Sequence, residues 1–87
     1  MEAAYFLSPV DREVLAVLER GPLYGYLIIE ALRSRGGGSF DLPLGGLYPI
    51  LRRLERLGYV RSAWMTVDSR RRRTYALTGA GARERLE

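Results

Sequence analysis

The chain has 87 residues, and its 14 basic residues, all Arg, outnumber 10 acidic ones to give a net charge of +4. A chain this short is expected to form a single small domain over residues 1–87. It contains no Cys and no His, which removes disulfides, the usual zinc ligands and imidazole acid–base chemistry. We therefore expect neither an enzyme nor a metal or cofactor protein.

The sequence also lacks the apolar segments of a membrane protein. Its opening ten residues are too short and too weakly apolar for a signal peptide, and no apolar run approaches the ~20 residues that a membrane span requires. A cytoplasmic protein that does not enter membranes is expected.

Charge is divided unevenly along the chain. Residues 44–87 carry a net charge of +6, whereas residues 1–43 carry −2. A polyanionic partner would therefore meet the C-terminal half first.

The first two predicted helices are short and amphipathic. Ser8 is a suitable N-cap for a helix that starts at Pro9 and runs to about Arg20. The second helix begins at about Tyr24 and ends in the flexible connection Gly36-Gly37-Gly38 before Phe40. Apolar residues recur at helical spacing in both segments, which predicts one buried stripe on each.

The third predicted helix begins near Leu44 or Gly45, ends at Gly58 and has two contrasting faces. Its core stripe comprises Leu47, Ile50, Leu51, Leu54 and Leu57. Its opposite face comprises Gly45, Pro49, Arg52 and Arg56. Small residues near the start with arginines further along suit a helix pressed into a DNA groove, although an ordinary solvated face would give the same pattern. Because proline is tolerated only in the first turn, we expect an irregular helix start at Pro49.

A β-hairpin is predicted next, with strands at residues 59–67 and 72–77 and a turn at Asp68-Ser69. Arg70 to Arg73 at its tip and second arm would repel one another, and a DNA backbone or minor groove would relieve that repulsion. The competing interpretation is a solvated charged loop. Trp64 is expected in the core or in wing packing rather than as a stacking platform.

Thr78 can cap a short last helix that runs through Glu87. Three helices, a two-stranded wing and this short C-terminal helix predict a mainly α structure with a small β-hairpin wing, an α+β winged helix-turn-helix.

Three segments resemble the diagnostic blocks of the PadR family of bacterial transcriptional regulators, in the same order and with matching gaps. They are GPLYGYLIIEALRSR (21–35), LGGLYPILRRLERLGYV (44–60) and RRRRTYALTGAGAR (70–83). The resemblance covers about Val14 to Arg83. Its most specific elements are Leu-Tyr-Pro at 47–49 and Arg-x-x-Tyr-x-Leu-Thr-x-x-Gly at 72–81.

The resemblance implies a sequence-specific DNA-binding regulator, most often a repressor, with the third helix in the major groove and the wing at the flanking backbone or minor groove. It implies that Tyr48 lies near a phosphate, although on geometry a half-buried packing tyrosine with its hydroxyl exposed competes with that role. Tyr24 is a weaker candidate for a phosphate contact. Gly25 would allow close packing. The candidate DNA-binding residues are Tyr24, Gly45, Gly46, Tyr48, Pro49, Arg52, Arg53, Arg56, Arg70, Arg71, Arg72 and Arg73.

The chain departs from the family pattern at two places. Relatives usually have a hydroxyl residue where Gly46 stands, so one expected contact with the DNA backbone is missing or is made by the Gly46 amide. They also dimerise through a long C-terminal helix, which here has at most about ten residues from Thr78. Dimerisation is then weaker, carried more by Met1 to Leu18, or lost, and a homodimer that reads a pseudo-palindromic site is the favoured expectation.

Two other functions compete with DNA-dependent regulation. A winged helix can serve as a protein-interaction module. The acidic N-terminal half and the short last helix favour this alternative. A small-molecule sensor is the third interpretation, and the short C-terminal helix leaves little material for a ligand pocket at a dimer interface.

Overall fold

A computed structural model of the chain describes residues 7–36 and 42–86. Within these ranges, four α-helices and three strands follow one another as α1 (Pro9–Val17), β1 (Leu23–Tyr24), α2 (Gly25–Gly36), α3 (Leu44–Arg56), β2 (Val60–Val67), β3 (Arg70–Leu77) and α4 (Gly79–Leu86). The strands form one antiparallel sheet in the order β1-β3-β2. The prediction of a mainly helical winged helix with a small wing is confirmed.

Some predictions concern residues outside the described ranges. These are Gly37, Gly38 and Phe40 of the expected flexible connection, residues 1–6 of the segment considered for dimerisation, and Glu87 at the expected helix end.

Helix α2 begins at Gly25, close to the predicted start at about Tyr24. Tyr24 does not open the helix but forms strand β1 with Leu23, and these two residues pair with Thr74 and Tyr75 of β3. So short a strand exists only because a partner strand some fifty residues later supplies its hydrogen bonds, and periodicity within the segment carries no such information.

The hairpin between β2 and β3 closes more tightly than predicted. Asp68 and Ser69 both have positive φ angles, 51° and 67°, which is the conformation of a two-residue type I′ turn. The second strand therefore begins directly at Arg70, two residues before the predicted start at Arg72.

The core lies where α1, α2 and α3 meet the sheet. From α3, the side chains of Leu47, Leu51 and Leu54 are fully buried, while Ile50 and Leu57 of the predicted stripe are partly buried. The remaining buried apolar side chains of this cluster are Leu7, Val14, Leu15, Val17, Leu18, Ile28, Ile29, Leu32, Val60 and Tyr75.

Pro49 does not lie in the first turn of its helix, contrary to the sequence prediction. It is inside α3, in the second turn, where it has no N–H to donate to the carbonyl of Gly45. The helix continues through it because the leucines on either side of it in sequence are buried in the core.

Helix α4 is attached to the turn that joins α3 to the wing. The Thr78 hydroxyl donates to the carbonyl of Gly58 at 2.6 Å and accepts from the Gly81 amide at 3.0 Å. A Cβ atom at Gly81 would lie 2.0 Å from the carbonyl oxygen of Tyr59. Glycine at position 81 is therefore required by the close approach of two backbones, and Thr78 caps α4 as predicted.

A buried carboxylate joins the start of α1 to α3. Ser8 and Asp11 form a capping box, as the predicted N-cap at Ser8 suggested, and the Asp11 carboxylate, 1% exposed, also accepts from the guanidinium of Arg53 at 2.5 Å. Burial raises the pKa of Asp11, but hydrogen bonds from Arg53 and Ser8 together with the Arg53 charge outweigh it, so the pKa is lowered overall. The ionised carboxylate thus stabilises the folded chain.

Substitution of Gly81 by Ala is expected to destabilise the protein by about 2 kcal/mol, because α4 must move away from Tyr59 to admit the methyl group. The measurement is the midpoint of urea unfolding. Gly79→Ala is the matched control, since a Cβ there meets only the Arg83 guanidinium at 3.7 Å. Equal stability of the two variants would contradict the close approach.

Substitution of Asp11 by Asn is expected to cost about 2 kcal/mol at neutral pH, because charged hydrogen bonds to Ser8 and Arg53 are removed. A lowered pKa means that the carboxylate stabilises the fold above its ordinary pKa, and that this contribution disappears as the pH falls through the lowered value. The free energies of unfolding of wild type and variant, measured in urea, should therefore converge in strong acid.

Glu13→Gln serves as the control for Asp11. Glu13 also forms an ion pair, with Arg35 at 2.7 Å, but both side chains are considerably exposed, so its removal should cost less than about 1 kcal/mol. A difference between wild type and Asp11→Asn that is the same at all pH values would exclude the carboxylate charge as the cause.

Candidate nucleic-acid interface

The face of α3 opposite the core is solvent-exposed and basic. Gly45, Pro49, Arg52 and Arg56 are all exposed on it, opposite the buried leucines. The two-faced helix that the sequence predicted is therefore present. Its outer face combines a small N-terminal half with two guanidinium groups further along.

The two glycines at the start of α3 have different surroundings. A Cβ at Gly45 would meet no atom within 4 Å, whereas one at Gly46 would lie 3.2 Å from Leu42 Cδ1. Gly45 therefore leaves an open surface at the helix start, while Gly46 lies against Leu42 in the preceding segment.

Tyr48 lies across the start of α2. Its side chain is 39% exposed, and a Cβ at Gly25 would come within 3.0 Å of its hydroxyl oxygen and 3.2 Å of Leu44 Cδ1. The Tyr48 hydroxyl thus lies over a residue that has no side chain, whereas the packing alternative expected that hydroxyl to be exposed. Gly25 permits the close contact between α2 and α3.

Strand alternation divides the four consecutive arginines of the wing between two faces. Arg73 pairs with Trp64 and Arg71 with Thr66 across the hairpin, so Arg71, Arg73 and Trp64 share one face. Arg70 and Arg72 belong to the other face. The quartet that reads as one charge run in the sequence is therefore two pairs in the structure.

Arg72 is held against a neighbouring strand. Its guanidinium carbon lies 4.4 Å from the ring centroid of Tyr24 in β1, a cation–π distance. Arg72 is less exposed than Arg70, Arg71 and Arg73. Tyr24 and Arg72, both candidates from the sequence, thus contact each other and link β1 to the wing.

Trp64 is not part of the core. It is 55% exposed, and the guanidinium carbons of Arg71 and Arg73 each lie 5.7 Å from its ring centroid. Of the two sequence expectations for Trp64, core packing is wrong and packing within the wing is correct. Alternation along β2 assigns Trp64 to one face of the strand, but it does not tell whether that face is covered.

A hollow of about 460 Å³, called here the helix–wing hollow, separates α3 from the wing. Its lining residues are Tyr48, Arg52, Glu55, Trp64, Arg73 and Tyr75. Glu55 accepts a hydrogen bond from the Ser62 hydroxyl at 2.8 Å. Burial raises the pKa of the Tyr75 hydroxyl, and the Arg73 charge opposes that shift. The hollow therefore brings candidate residues of the helix and the wing to one surface.

Arg53 lies apart from this surface. Its guanidinium binds Asp11 of α1, and Asp11 raises the pKa of Arg53 through a hydrogen bond and its charge. Sequence reasoning placed Arg53 with the DNA-facing arginines and did not pair it with Asp11. The signal for the pairing was weak, because the two positions are separated by 42 residues.

Within residues 7–36 and 42–86 no group of three or more potential metal ligands comes together. None of the helices in these ranges has the length and apolar character needed to cross a bilayer.

Comparisons with known proteins bear on the family and the fold. Residues 14–87 match a family model described as the transcriptional regulator PadR-like family. A comparison with curated proteins found no match.

Several solved structures have similar folds. A transcriptional regulator from Clostridium thermocellum superposes with a TM-score of 0.77 at 30% identity, over 88% of this chain and 75% of that one. A PadR family regulator from Clostridium difficile R20291 superposes with a TM-score of 0.76 at 28% identity, over 91% of this chain and 81% of that one. PadR from Bacillus subtilis in complex with operator DNA superposes with a TM-score of 0.79 at 22% identity, over 91% of this chain and 45% of that one. At this identity the similarity is one of fold.

Proposed function

Since the chain belongs to the PadR-like family of transcriptional regulators, we propose that it binds double-stranded DNA sequence-specifically and acts as a repressor. The observation that carries the proposal is the helix–wing hollow, where Arg52 of α3 and Arg73 of β3 line one surface. Two basic elements on one side of the molecule can contact one duplex together. The fold likeness to a PadR bound to operator DNA supports the same assignment.

In this proposal α3 enters the major groove. The open surface at Gly45 allows the helix start to approach the groove closely, and Pro49 adds little bulk beside it. Arg52 and Arg56 follow on the same face and reach base edges or phosphates. Arg52 is the candidate for reading a guanine, whose two acceptors match its guanidinium fork.

The wing supplies contacts with the flanking backbone or minor groove. Arg71 and Arg73, on the face that carries Trp64, are the main candidates, and Arg70 beside the hairpin turn adds charge at the tip. Tyr48 contributes its partly exposed edge toward a phosphate. Arg72, which lies against Tyr24, holds the wing to β1.

Arg53 has a different role in the proposal. Because its guanidinium is bound to a buried carboxylate, it positions α3 against α1 rather than contacting DNA.

The regulator is proposed to act in the bacterial cytoplasm as a homodimer. Two copies of α3 related by a two-fold axis would read a pseudo-palindromic operator, which supplies more specificity than one small domain.

Selection of bound duplexes from a random library at near-physiological salt tests the proposal. The expected result is enrichment of an inverted repeat whose half-sites lie about one helical turn apart. Retention without enrichment would contradict sequence-specific reading. Failure to retain DNA at any salt concentration would contradict the proposal as a whole and favour a protein-interaction module.

Replacing Arg71 or Arg73 with Gln is expected to weaken binding to every duplex and to flatten the dependence of log affinity on log salt by about one unit for each phosphate that is no longer bound. Fluorescence anisotropy of a labelled duplex over a series of salt concentrations gives both quantities. Arg61→Gln is the matched control, because it removes one charge from the opposite face of the same hairpin. An unchanged slope in the Arg71 and Arg73 variants would remove the wing from the interface.

A further inference from the structure

The large exposed apolar side chains of the described residues are unevenly distributed. They are Tyr26, Leu44, Tyr48, Trp64 and Met65. The first four line a single hollow together with Arg71, Arg72 and Arg73, and only Met65 lies elsewhere, on the other face of β2. Apolar surface and positive charge therefore occur together on the side proposed to face DNA. Phosphate binding alone would require no exposed apolar surface.

Trp64 is central to this surface. It lines both this hollow and the helix–wing hollow, and its indole has a guanidinium group from Arg71 and another from Arg73 at the same distance of 5.7 Å. The negative faces of the indole attract these cations and reduce their mutual repulsion. The three side chains thus form one cluster on one face of the wing, in which Trp64 of β2 lies directly opposite Arg73 and diagonally opposite Arg71 of β3.

This cluster matches the chemistry of a nucleic-acid strand. Arg71 and Arg73 are two residues apart on β3, about 7 Å along the strand, and in DNA two consecutive phosphates flank one deoxyribose. Each guanidinium can bind a phosphate, and the indole beside them presents an apolar surface of the size that a sugar or base edge would cover.

We propose that Trp64 is a DNA-contacting residue, whose indole packs against the deoxyribose of the strand whose phosphates bind Arg71 and Arg73. The inference rests on the proposed function and deepens it, because it assigns part of the affinity to an uncharged contact. Such a contact contributes equally at low and high salt, in contrast to the arginines.

Trp64 can report on this contact directly, since it is the sole Trp of the chain. The full chain is titrated at low salt with an unlabelled random-sequence duplex while tryptophan emission is recorded, and in parallel with the labelled duplex to measure anisotropy. We expect emission to be quenched or shifted with the same midpoint as the anisotropy change. Unaltered emission while anisotropy reports binding would overturn the role of Trp64 alone. No anisotropy change would instead overturn the proposed function.

Substitutions separate a direct contact from a positioning role. Trp64→Ala is expected to lower duplex affinity about tenfold with no change in the salt slope, and Trp64→Phe to keep most of the affinity because an aromatic face remains. A flatter slope in Trp64→Ala would show that the indole only orients Arg71 and Arg73, and would overturn the direct role.

Met65→Ala is the matched control for Trp64. Met65 is the next residue of β2, 47% exposed and directed to the opposite face, so its truncation should leave affinity unchanged. An equal decrease in duplex affinity for Met65→Ala and Trp64→Ala would overturn the assignment of the DNA contact to the face that carries Trp64. Thermal unfolding followed by circular dichroism shows whether each variant keeps its fold. If Trp64→Ala does not fold, the affinity and salt slope of Trp64→Phe are compared with those of wild type instead.

Discussion

Burial of one side of α3 is the contact on which the rest of the structure depends. Leu47, Leu51 and Leu54 are completely removed from solvent, and each such side chain contributes roughly 2 kcal/mol of hydrophobic stabilisation. That is about as much as the charged contacts of Asp11 contribute. Because these leucines fix the rotation of the helix about its axis, they also determine which residues face outward. The exposure of Arg52 and Arg56 follows from apolar packing on the other side of the same helix.

Sequence patterns predicted those parts of the fold that depend on local spacing. The two faces of α3, the N-cap at Ser8, the turn at Asp68 and the cap at Thr78 are each encoded within a few residues. What was missed depends on distant partners. Strand β1 exists through β3, and Pro49 is accommodated within α3 by the core contacts of its neighbours.

The same distinction applies to the candidate site. A run of four arginines is visible in the sequence, but its division into two faces requires the register of β3 against β2. The attachment of Arg53 to Asp11 and the exposure of Trp64 are also tertiary facts. Charge composition therefore predicted a polyanionic partner, whereas only the arrangement of strands and helices shows on which faces the arginines lie.

Strand β1 has a mechanical consequence. Its two residues pair with β3 and lead without interruption into α2, whose first residue lies beneath the Tyr48 ring of α3. The wing and α3 are thus joined through a short rigid path as well as through the turn at Gly58. Their separation is therefore set by the fold of the domain itself, so a partner that contacts both elements at once has to match that separation.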